Sequence, residues 1–494
     1  MKMIHINEKD NVAVALVPIA AGTTLPIANR SVTAQEDIPQ GHKMALCDLS
    51  EGADIIKYSY PIGHLTGPVS AGEWVHVHNV KTNLSEGGDY VYRPETHPQP
   101  NLEQQFFNGY RWADGRAGIR NEVWIIPLVG CVNDVVTDLV SRNQHLVEQF
   151  GLDGIHTFTH PYGCSQMGDD HATTRKILAD LVRHPNAGAV LVVALGCENI
   201  TMEQFHAELG SWDDQRVKFM VCQEHENEVE VGTALLADLA AYAGRFKRQP
   251  IPMSELVVGM KCGGSDGLSG ITANPTVGAF SDLMVAQGGS VVLTEVPEMF
   301  GAEDALLGRC TDTATFDRAV GMINDFKAYF TAHNQVVYEN PSPGNKQGGI
   351  TTLEDKSLGC VQKGGTAPIV DVLAYGDVVQ QKGLSLLSGP GNDLVSATAL
   401  TAAGCHIVLF TTGRGTPFSA PAPTAKISSN NVLACKKANW IDFNAGTVAD
   451  GESISDAGRR LLGYVQTLAS GETRTRAEEH GYRGIAIFKG GVTL

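Results

Sequence analysis

Short apolar runs alternate with longer helix-like stretches along most of the chain after residue 120. Residues 123–129, 189–195 and 256–260 are strand-like runs, whereas residues 170–183 have the mixed polar and apolar spacing of a helix. Strands joined by helices in this way pair in parallel, because the helix carries the chain back to the start of the next strand. The pattern therefore predicts an α/β protein with mostly parallel sheets.

The first part of the chain has a different pattern. Short strand-like segments, such as residues 11–16 and 43–46, are separated by glycines at the spacing of turns. Residues 73–79 alternate as a strand does, which would place His76 and His78 on one face. We predict a small β domain at residues 1–95, a proline-containing linker at 96–108, and two α/β domains at 109–250 and 251–494.

Five cysteines follow predicted strands: Cys131, Cys164, Cys197, Cys222 and Cys262. Because parallel strands end at one edge of a sheet, where ligands bind, we expect the five thiols to line one rim. Packing at tight strand ends is the favoured interpretation for Cys131 and Cys222, which have fewer polar neighbours. His160 and Glu198 lie near the other thiols in sequence, and thiolate, imidazole and carboxylate together suit a transition metal.

A loop rich in glycine follows the strand predicted at residues 256–260. Its four glycines, within residues 261–275, let the backbone approach a ligand closely. The loop is dense in small polar groups, as is typical of a ligand site in an α/β sheet; they belong to Ser265, Asp266, Thr272 and Asn274. A capped glycine turn without a ligand is the alternative interpretation.

Composition limits the partners. With 37 Lys and Arg against 54 Asp and Glu, the 494-residue chain has a formal net charge of −17, which argues against nucleic acid and anionic membranes. No window has the roughly 18 apolar residues of a membrane span. The N-terminus lacks a secretory signal pattern, so we expect reduced cysteines and a cytoplasmic location. An anionic ligand would need local cations, and the candidates in loops are Arg116, Arg120, Lys346 and Arg414.

Nucleotide cofactors have no matching motif. There is no P-loop, and Gly389-Pro390-Gly391 lacks the third glycine of a dinucleotide fingerprint, since Leu394 stands there. A nucleotide-dependent oxidoreductase and a non-catalytic iron or redox sensor are the alternatives from other functional classes.

Several long motifs resemble the altronate/galactarate dehydratase family. They lie at residues 41–43, 75–79, 114–122, 162–171, 195–199, 262–275, 294–303, 340–346, 353–360 and 413–417, so the resemblance covers essentially the whole chain. It implies an N-terminal SAF-type β domain followed by two α/β (Rossmann-like) domains. It also implies loss of water from a sugar acid, D-altronate giving 2-dehydro-3-deoxy-D-gluconate with the help of ferrous iron, in hexuronate breakdown. Galactarate is the alternative substrate.

The resemblance also implies roles for the candidate residues. A metal on the carboxylate would stabilise the enediolate, a base would take the C2 proton, and an acid would protonate the C3 hydroxyl. Ferrous iron is expected, with manganese or an iron–sulfur cluster on three thiols as alternatives, and a homo-oligomer is left open. The metal ligands would be His160, Cys164, Cys197 and Cys262, with His76 and His78 as a competing pair. Acid–base candidates are His42, Lys43 and His160; substrate-binding candidates are Arg116, Arg120, Asn121, Lys346, Arg414, Ser265, Asp266, Thr272, Asn274 and Glu295.

Overall fold

The computed structural model of the chain describes residues 2–27, 30–84, 88 and 90–491. Its N-terminal domain consists of short strands: β1 (Met3–Ile4), β2 (Val12–Ala15), β3 (Thr24–Ile27), β4 (Arg30–Thr33), β5 (Lys43–Ala45), β6 (Asp54–Lys57), β7 (Tyr60–Leu65), β8 (Trp74–Val75) and β9 (Val80–Lys81). They form an antiparallel sheet in the order β1-β2-β5-β8, a second in the order β6-β7-β9, and the pair β3-β4. This is the small β domain that the sequence predicts.

The strand predicted over residues 73–79 is shorter than expected. β8 ends at Val75, and the Asn79 side chain then accepts the backbone N–H of His76 and donates to the Trp74 carbonyl. These two backbone groups would pair with a neighbouring strand if β8 continued. Because they bond to the Asn79 amide, the chain turns here. His76 and His78 therefore do not share one face of a strand; His76 is buried and His78 is exposed.

The second domain is built on a four-stranded parallel sheet in the order β13-β12-β14-β15. All eight residues of β14 are buried, which is why it reads as an uninterrupted apolar run. Its strands are β10 (Phe106–Arg111), β11 (Ala117–Gly118), β12 (Glu122–Pro127), β13 (Gly154–Thr157), β14 (Ala187–Ala194), β15 (Val217–Val221) and β16 (Arg248–Pro252). Its helices are α1 (Asn133–Arg142), α2 (His145–Phe150), α3 (Gly168–Arg183), α4 (Met202–Leu209) and α5 (Glu228–Ala243). β10 begins inside the predicted linker and forms a small antiparallel sheet with β11 and β16.

The third domain has a seven-stranded parallel sheet in the order β19-β20-β18-β17-β21-β22-β23. Its strands are β17 (Val257–Cys262), β18 (Ser290–Leu293), β19 (Ile369–Leu373), β20 (Gly383–Leu387), β21 (Ile407–Thr412), β22 (Thr424–Ser428) and β23 (Phe443–Asn444). Its helices are α6 (Ala273–Ala286), α7 (Glu303–Leu306), α8 (Thr313–Ala332), α9 (Pro343–Gln347), α10 (Leu353–Cys360), α11 (Asp393–Ala402), α12 (Asn431–Lys436), α13 (Ile454–Ala469) and α14 (Arg476–Glu479). The predicted fold class, a small β domain followed by α/β regions, is thereby confirmed.

Short 3-10 helices occupy several loops: Gly130–Val132, Cys222–Glu224, Met253–Glu255, Val296–Glu298, Leu307–Arg309, Val361–Gly364 and Gly446–Asp450. Among the helices of the described residues, none has both the length and the hydropathy to cross a bilayer.

The five strand-end cysteines do not line one rim. Cys131, Cys164, Cys197 and Cys222 follow the four strands of the second domain, whereas Cys262 ends β17 in the larger sheet. The physical reason is β16, which pairs antiparallel with β10 and takes the chain out of the first sheet before β17 begins.

The carboxyl edges of the two parallel sheets lie on the same side of the molecule. Helix α3 packs on α11, and His184, at the end of α3, lies 3.1 Å from the carbonyl oxygen of Cys405, just beyond α11. The two helices therefore run in the same direction. Each connects consecutive parallel strands, so each begins at the carboxyl edge of its own sheet.

Candidate functional site

The crevice between β17 and β21 is the topological switch point of the larger sheet. On one side of β17 lie, in order of distance from it, β18, β20 and β19. The strand that follows these three along the chain, β21, lies on the other side of β17. Ligands bind outside the carboxyl ends of strands at such a point. The loops that leave the sheet here are residues 263–272, which are rich in glycine, and residues 413–423.

Asp266 holds these two loops together. Its carboxylate accepts hydrogen bonds from the hydroxyls of Ser269 and Ser429 and from the side-chain amide of Asn430. A β-carbon on Gly413 would lie 2.3 Å from Cγ of Asp266, so only glycine fits there. Both oxygens of Asp266 thus accept hydrogen bonds from the loops that they join. The carboxylate therefore holds the two loops together, and a role in binding a sugar hydroxyl fits it less well.

The N-terminal domain docks on this crevice through facing glycines. Gly41 has a φ of 82°, and a β-carbon on it would lie 2.8 Å from the Gly348 carbonyl oxygen. A β-carbon on Gly267 would lie 2.0 Å from the carbonyl oxygen of Gly41. Backbones approach so closely only where side chains are absent, which is one use of the glycine-rich loop that the sequence analysis assigned to a ligand.

Two lysines of the N-terminal domain share one carboxylate of the third domain. Lys43 and Lys57 lie 2.8 and 2.9 Å from the two oxygens of Asp355, and all three side chains are at most 2% exposed. Burial lowers the pKa of Lys43 to about 8, helped by the Lys57 charge and opposed by Asp355. Although burial would raise it, the pKa of Asp355 is held well below its usual value by the two ammonium groups.

Lys43 also donates to the Gly349 carbonyl and is fully buried. The residue predicted as an acid–base group is therefore a contact between domains.

Three histidines surround Trp74 beside this contact. The ring centroids of His76 and Trp74 are 5.5 Å apart, those of His76 and His42 are 4.7 Å apart, and His78 lies 5.1 Å from Trp74. Nδ1 of His42 accepts the indole N–H of Trp74, and its Nε2 lies 3.2 Å from the Gln347 carbonyl oxygen. Since Nδ1 is an acceptor, the neutral His42 ring carries its proton on Nε2.

His76 has one ring nitrogen that no described residue of the protein engages. Its Nδ1 lies 3.2 Å from Oγ1 of Thr351, and within the described part of the chain Nε2 has no hydrogen-bond partner. Burial, together with the positive charges of Lys43 and His42, lowers the pKa of His76 to about 3. The imidazole is therefore neutral near pH 7 but a weak base, and Nε2 is its accepting nitrogen only in the tautomer whose Nδ1–H donates to Oγ1 of Thr351.

Lys346 and Arg414 bring positive charge to the same place. Lys346 lies in α9, whose last residue, Gln347, contacts His42. Arg414 donates to the Gly344 carbonyl of α9 and to the side chain of Gln347. Arg414 is exposed and Lys346 is half-buried, so an anion can reach both. The junction site, as we use the term, comprises His42, His76, His78, Lys346 and Arg414.

A second group of charges lies at the carboxyl end of β17. Lys261 is 3.0 Å from Glu295 and 2.6 Å from Asp393, and Lys356 is 2.7 Å from Glu298. The buried cluster, as we use the term, comprises Lys261, Cys262, Glu295, Glu298, Lys356, Cys360, Lys363 and Asp393. It contains three lysines, three carboxyl groups and two thiols, and burial together with the charge of Glu298 raises the pKa of Glu295 well above its usual value.

Within the buried cluster, Cys262 and Cys360 have their sulfurs 3.3 Å apart, and Sγ of Cys262 lies 2.7 Å from Oε2 of Glu298. Among the described residues, this is the group in which three ligand atoms lie within 4.8 Å of one another. Two thiols and a carboxylate suit a transition metal, and two thiolates would offset a divalent charge.

The trio nevertheless leaves no position open to a substrate. Cys262, Glu298 and Cys360 are 1%, 4% and 3% exposed. The adjacent cavity, lined by Ser265 and Asp355 among others, measures about 10 Å³, which holds about one water. The three residues therefore fit a closed metal site and do not fit a metal that activates a substrate.

The predicted metal ligands do not come together. His160 is buried, with Nε2 2.8 Å from the Pro127 carbonyl oxygen and Nδ1 accepting the Tyr162 backbone N–H. Burial lowers the pKa of His160 to about 4, so it is a neutral histidine held by the backbone, which leaves neither nitrogen for a metal or for acid–base chemistry. Cys164 and Cys197 are exposed in the second domain, whereas Cys262 is buried in the third.

Arg116, Arg120 and Asn121 also lie outside the junction site. Arg120 is 1% exposed and donates to the Glu478 carboxylate. Asn121 is buried and donates to the Ala243 carbonyl, and Arg116 pairs with Asp114. Because their donors are already taken by protein groups, these three residues stabilise packing, and the substrate-binding role predicted for them does not fit this placement.

The remaining hydroxyl-binding candidates are mostly engaged as well. The Thr272 hydroxyl is buried against backbone carbonyl oxygens, and the Asn274 amide donates to Gly359 and accepts from Thr411. Glu295 accepts the Cys262 backbone N–H and belongs to the buried cluster. Oγ of Ser265 is buried without a partner beside the small cavity.

Six charged residues and one thiol of the domain contact and the buried cluster were missed from sequence: Lys57, Glu298, Asp355, Lys356, Lys363, Asp393 and Cys360. Four of them lie inside the motifs at 294–303 and 353–360. Their place in a long motif was the one feature of the sequence that could have pointed to them. Charge alone gives no such signal, because most lysines and carboxylates are solvated.

Three family models match the chain. The Altronate/galactarate dehydratase SAF domain matches residues 1–83, the D-galactarate dehydratase/Altronate hydrolase second domain matches residues 109–244, and the D-galactarate/Altronate dehydratase C-terminal model matches residues 253–493. The matched ranges correspond to the three domains of the structure.

Curated relatives match over the full length. The altronate dehydratase of Escherichia coli (strain K12) is 51% identical over 498 residues, covering 100% of each chain. That of Bacillus subtilis (strain 168) is 50% identical over 497 residues, covering 99% of each. The galactarate dehydratase (L-threo-forming) of Escherichia coli (strain K12) is 34% identical over 510 residues, covering 98% of this chain and 96% of the relative. These matches confirm the prediction of a sugar-acid dehydratase, a carbon–oxygen lyase, and the chain belongs to the altronate/galactarate dehydratase family.

Proposed function

We propose that this protein converts D-altronate into 2-dehydro-3-deoxy-D-gluconate and water. The observation that carries the proposal is the identity of 51% and 50% to two altronate dehydratases, against 34% to a galactarate dehydratase, over comparable lengths. Galactarate is the second candidate substrate, on the strength of that third relative. A place in hexuronate breakdown, in the cytoplasm, is part of the proposal.

The junction site contains groups that could bind the substrate carboxylate and a group that could take the C2 proton. Arg414 and Lys346 are accessible cations on neighbouring loops, and charge-assisted hydrogen bonds from them would hold the substrate carboxylate. We assign the C2 proton to Nε2 of His76, in the tautomer whose Nδ1–H donates to Thr351. His42 touches the His76 ring edge-on and is itself oriented by Trp74, so it positions that base.

The reaction balances without a redox cofactor. The proton leaves C2, the hydroxyl of C3 takes up a proton and departs as water, and the resulting enol tautomerises to the 2-keto acid. A base and an acid in position each contribute about 10²–10⁴-fold. Lys43 is not the acid that protonates the hydroxyl, because its side chain is fully buried.

Ferrous iron is part of the proposal, with manganese as the second choice. When bound, a metal ion supplies a positive charge that stabilises the negative charge developing on the carboxylate. Because the buried trio of Cys262, Glu298 and Cys360 has no open position, we do not place the substrate-activating iron there.

The proposal is tested by turnover. Protein purified without oxygen and supplied with ferrous iron is incubated with D-altronate, galactarate and related acids, with and without a chelator, and 2-keto-3-deoxy acid is measured. Altronate should be the best substrate, and a chelator should reduce the rate. If no acid is dehydrated, the proposal fails.

His76→Gln tests the base. It should lower kcat by about 10²–10⁴-fold while leaving the unfolding midpoint near that of the wild type. His145→Gln, an exposed histidine at the start of α2, is the matched control and should be fully active. Wild-type turnover in the His76 variant would remove His76 from the reaction.

A further inference from the structure

We propose that Cys131, Cys164 and Cys197 bind an iron–sulfur cluster at the carboxyl edge of the four-stranded sheet. No single ion explains these three thiols, and they differ from the set that the sequence analysis favoured, in which Cys262 took the place of Cys131. The binding of the cluster stands on the geometry of the second domain alone. Its use in catalysis rests on the proposed function.

The three cysteines follow three adjacent strands. β12 lies between β13 and β14, and Cys131 follows β12, Cys164 follows β13 and Cys197 follows β14. Parallel neighbours are about 4.8 Å apart, and all of them end at the same edge. The thiols thus emerge at one place although residues 131 and 197 are far apart in the chain.

The loops that carry these cysteines converge over the central strand. The backbone N–H of Gly130 donates to the Tyr162 carbonyl, and a β-carbon on Gly163 would lie 2.0 Å from the Leu128 carbonyl oxygen. The first loop therefore packs directly against the second, and a glycine is required at the contact.

The second loop packs in turn against the third. The backbone N–H of Ser165 donates to Oδ1 of Asn199 at 2.6 Å, and the N–H of Asn199 donates to the Gly163 carbonyl. These bonds cross from the strand on one side of β12 to the strand on the other side. The three loops form one continuous surface.

The thiols on this surface are available. Cys131, Cys164 and Cys197 are all exposed and none is in a disulfide. Sγ of Cys164 lies 3.8 Å from the Ser165 hydroxyl, and Sγ of Cys197 accepts a hydrogen bond from the side-chain amide of Gln223 at 3.6 Å. Amide hydrogen bonds to sulfur are among the contacts by which proteins set the potential of an iron–sulfur cluster.

The spacing favours a cluster over a single ion. In the described residues, no three ligand atoms at this edge lie within 4.8 Å of one another, as the ligands of one small ion would. A cluster spans a wider set, because each thiolate binds a different iron atom. Helices α1, α3 and α4 all begin at this edge, so their positive ends face the site, which suits a cluster with a net negative charge.

Assembly balances in atoms and charge. Each cysteine releases its thiol proton to water as an iron–thiolate bond forms. A [4Fe–4S] core in the 2+ state forms from equal parts of ferrous and ferric iron with sulfide, so the protein is not oxidised. Three thiolates leave one iron without a cysteine ligand.

That open iron would face the side of the molecule where the junction site lies. The carboxyl edges of both parallel sheets are on this side, since α3 and α11 run in the same direction. Binding of a sugar-acid oxygen at the open iron rests on the proposed function.

The experiment is anaerobic reconstitution of the full chain with iron and sulfide, followed by removal of unbound ions. Bound iron, acid-labile sulfide, visible absorbance and electron paramagnetic resonance are measured on the wild type and on Cys131→Ser, Cys164→Ser and Cys197→Ser. The wild type should bind about four iron and four sulfide per chain, and each variant should lose most of the sulfide and the absorbance. Because all three thiols are exposed, the unfolding midpoints of the variants before reconstitution should equal that of the wild-type apoprotein.

Cys435→Ser, an exposed cysteine in α12, is the matched control and should keep the full cluster. Absence of labile sulfide in the wild type, or its loss in Cys262→Ser or Cys360→Ser but not in the three variants, would overturn the proposal. None of these readouts needs a substrate. A bound cluster without turnover of any acid would refute only the proposed function. Turnover of altronate by protein that lacks bound sulfide would exclude the cluster from catalysis.

Discussion

Replacing Asp355 with asparagine should loosen the N-terminal domain from the rest of the protein. The substitution keeps the volume of the side chain but leaves Lys43 and Lys57, now 2.8 and 2.9 Å from the carboxylate, without a counter-charge. Both lysine side chains are at most 2% exposed, so water cannot take the place of the carboxylate.

The magnitude follows from this burial. Removing one partner of a buried ion pair costs about 3–5 kcal/mol. Because two buried lysines share this carboxylate, the loss in the free energy of unfolding should lie toward the upper end of that range. Lys43 reduces the loss in part, because its pKa is already lowered to about 8 and it can release its proton. We expect a loss of about 4 kcal/mol.

Calorimetry with tryptophan fluorescence is the suitable assay, because a protein of several domains need not unfold in one step and the N-terminal domain contains Trp74. Asp377→Asn is the matched control, since Asp377 pairs with Lys176 at 2.6 Å while both side chains are about 40% exposed. That surface pair should contribute less than about 1 kcal/mol.

Two results would refute the reasoning. One is an Asp355→Asn protein whose N-terminal domain unfolds at the wild-type midpoint. The other is an equal loss for Asp377→Asn. A second substitution, Lys57→Met, should recover part of the stability of Asp355→Asn, because it removes one of the two uncompensated charges.

Three further predictions concern the contact, the substrate and pH. Gly41→Ala should destabilise the docked N-terminal domain by about 1–3 kcal/mol, because its φ of 82° and the nearby Gly348 carbonyl exclude a β-carbon; the unfolding midpoint measures this, and no change would contradict it. Arg414→Gln should raise the KM for altronate by roughly 10–100-fold with little effect on kcat, as expected for the loss of one charged hydrogen bond to the carboxylate; steady-state rates measure this, and an unchanged KM would count against it. Burial raises the pKa of Asp180 to about 7, so between roughly pH 4 and 7 the folded state binds a proton that the unfolded state releases, and stability through this group falls as pH rises. Asp180→Asn should make the denaturation midpoint depend less on pH across that range. An unchanged dependence would exclude Asp180 as its source.

Much of the fold could be read from periodicity. The uninterrupted apolar run at β14 and the glycines after several strands predict buried parallel strands, because their signals are local. Residues 73–79 show the limit of such reading. The alternation of polar and apolar residues continues past Val75, but the strand ends there. The Asn79 side chain forms hydrogen bonds with the backbone of Trp74 and His76, so the chain turns and His76 lies outside the strand.

The site was harder to predict than the fold. Lys346, Arg414, His42 and His76 do meet, as part of the predicted set, around α9. Cys131 was set aside for lack of polar neighbours in sequence, yet the structure groups it with Cys164 and Cys197, because their strands are adjacent.

The sequence by itself determined the family, the class of reaction and the α/β architecture, since these are written in local periodicity and in long motifs. Tertiary structure alone decided which groups face each other. Lys57 and Asp355 are 298 residues apart and neither carries a local sign of the other, and the antiparallel pairing of β16 with β10 separated Cys262 from the other strand-end thiols. Ion pairs and sheet edges depend on how distant segments dock, and the free energy of docking is a property of the assembled surfaces and not of any one stretch of chain.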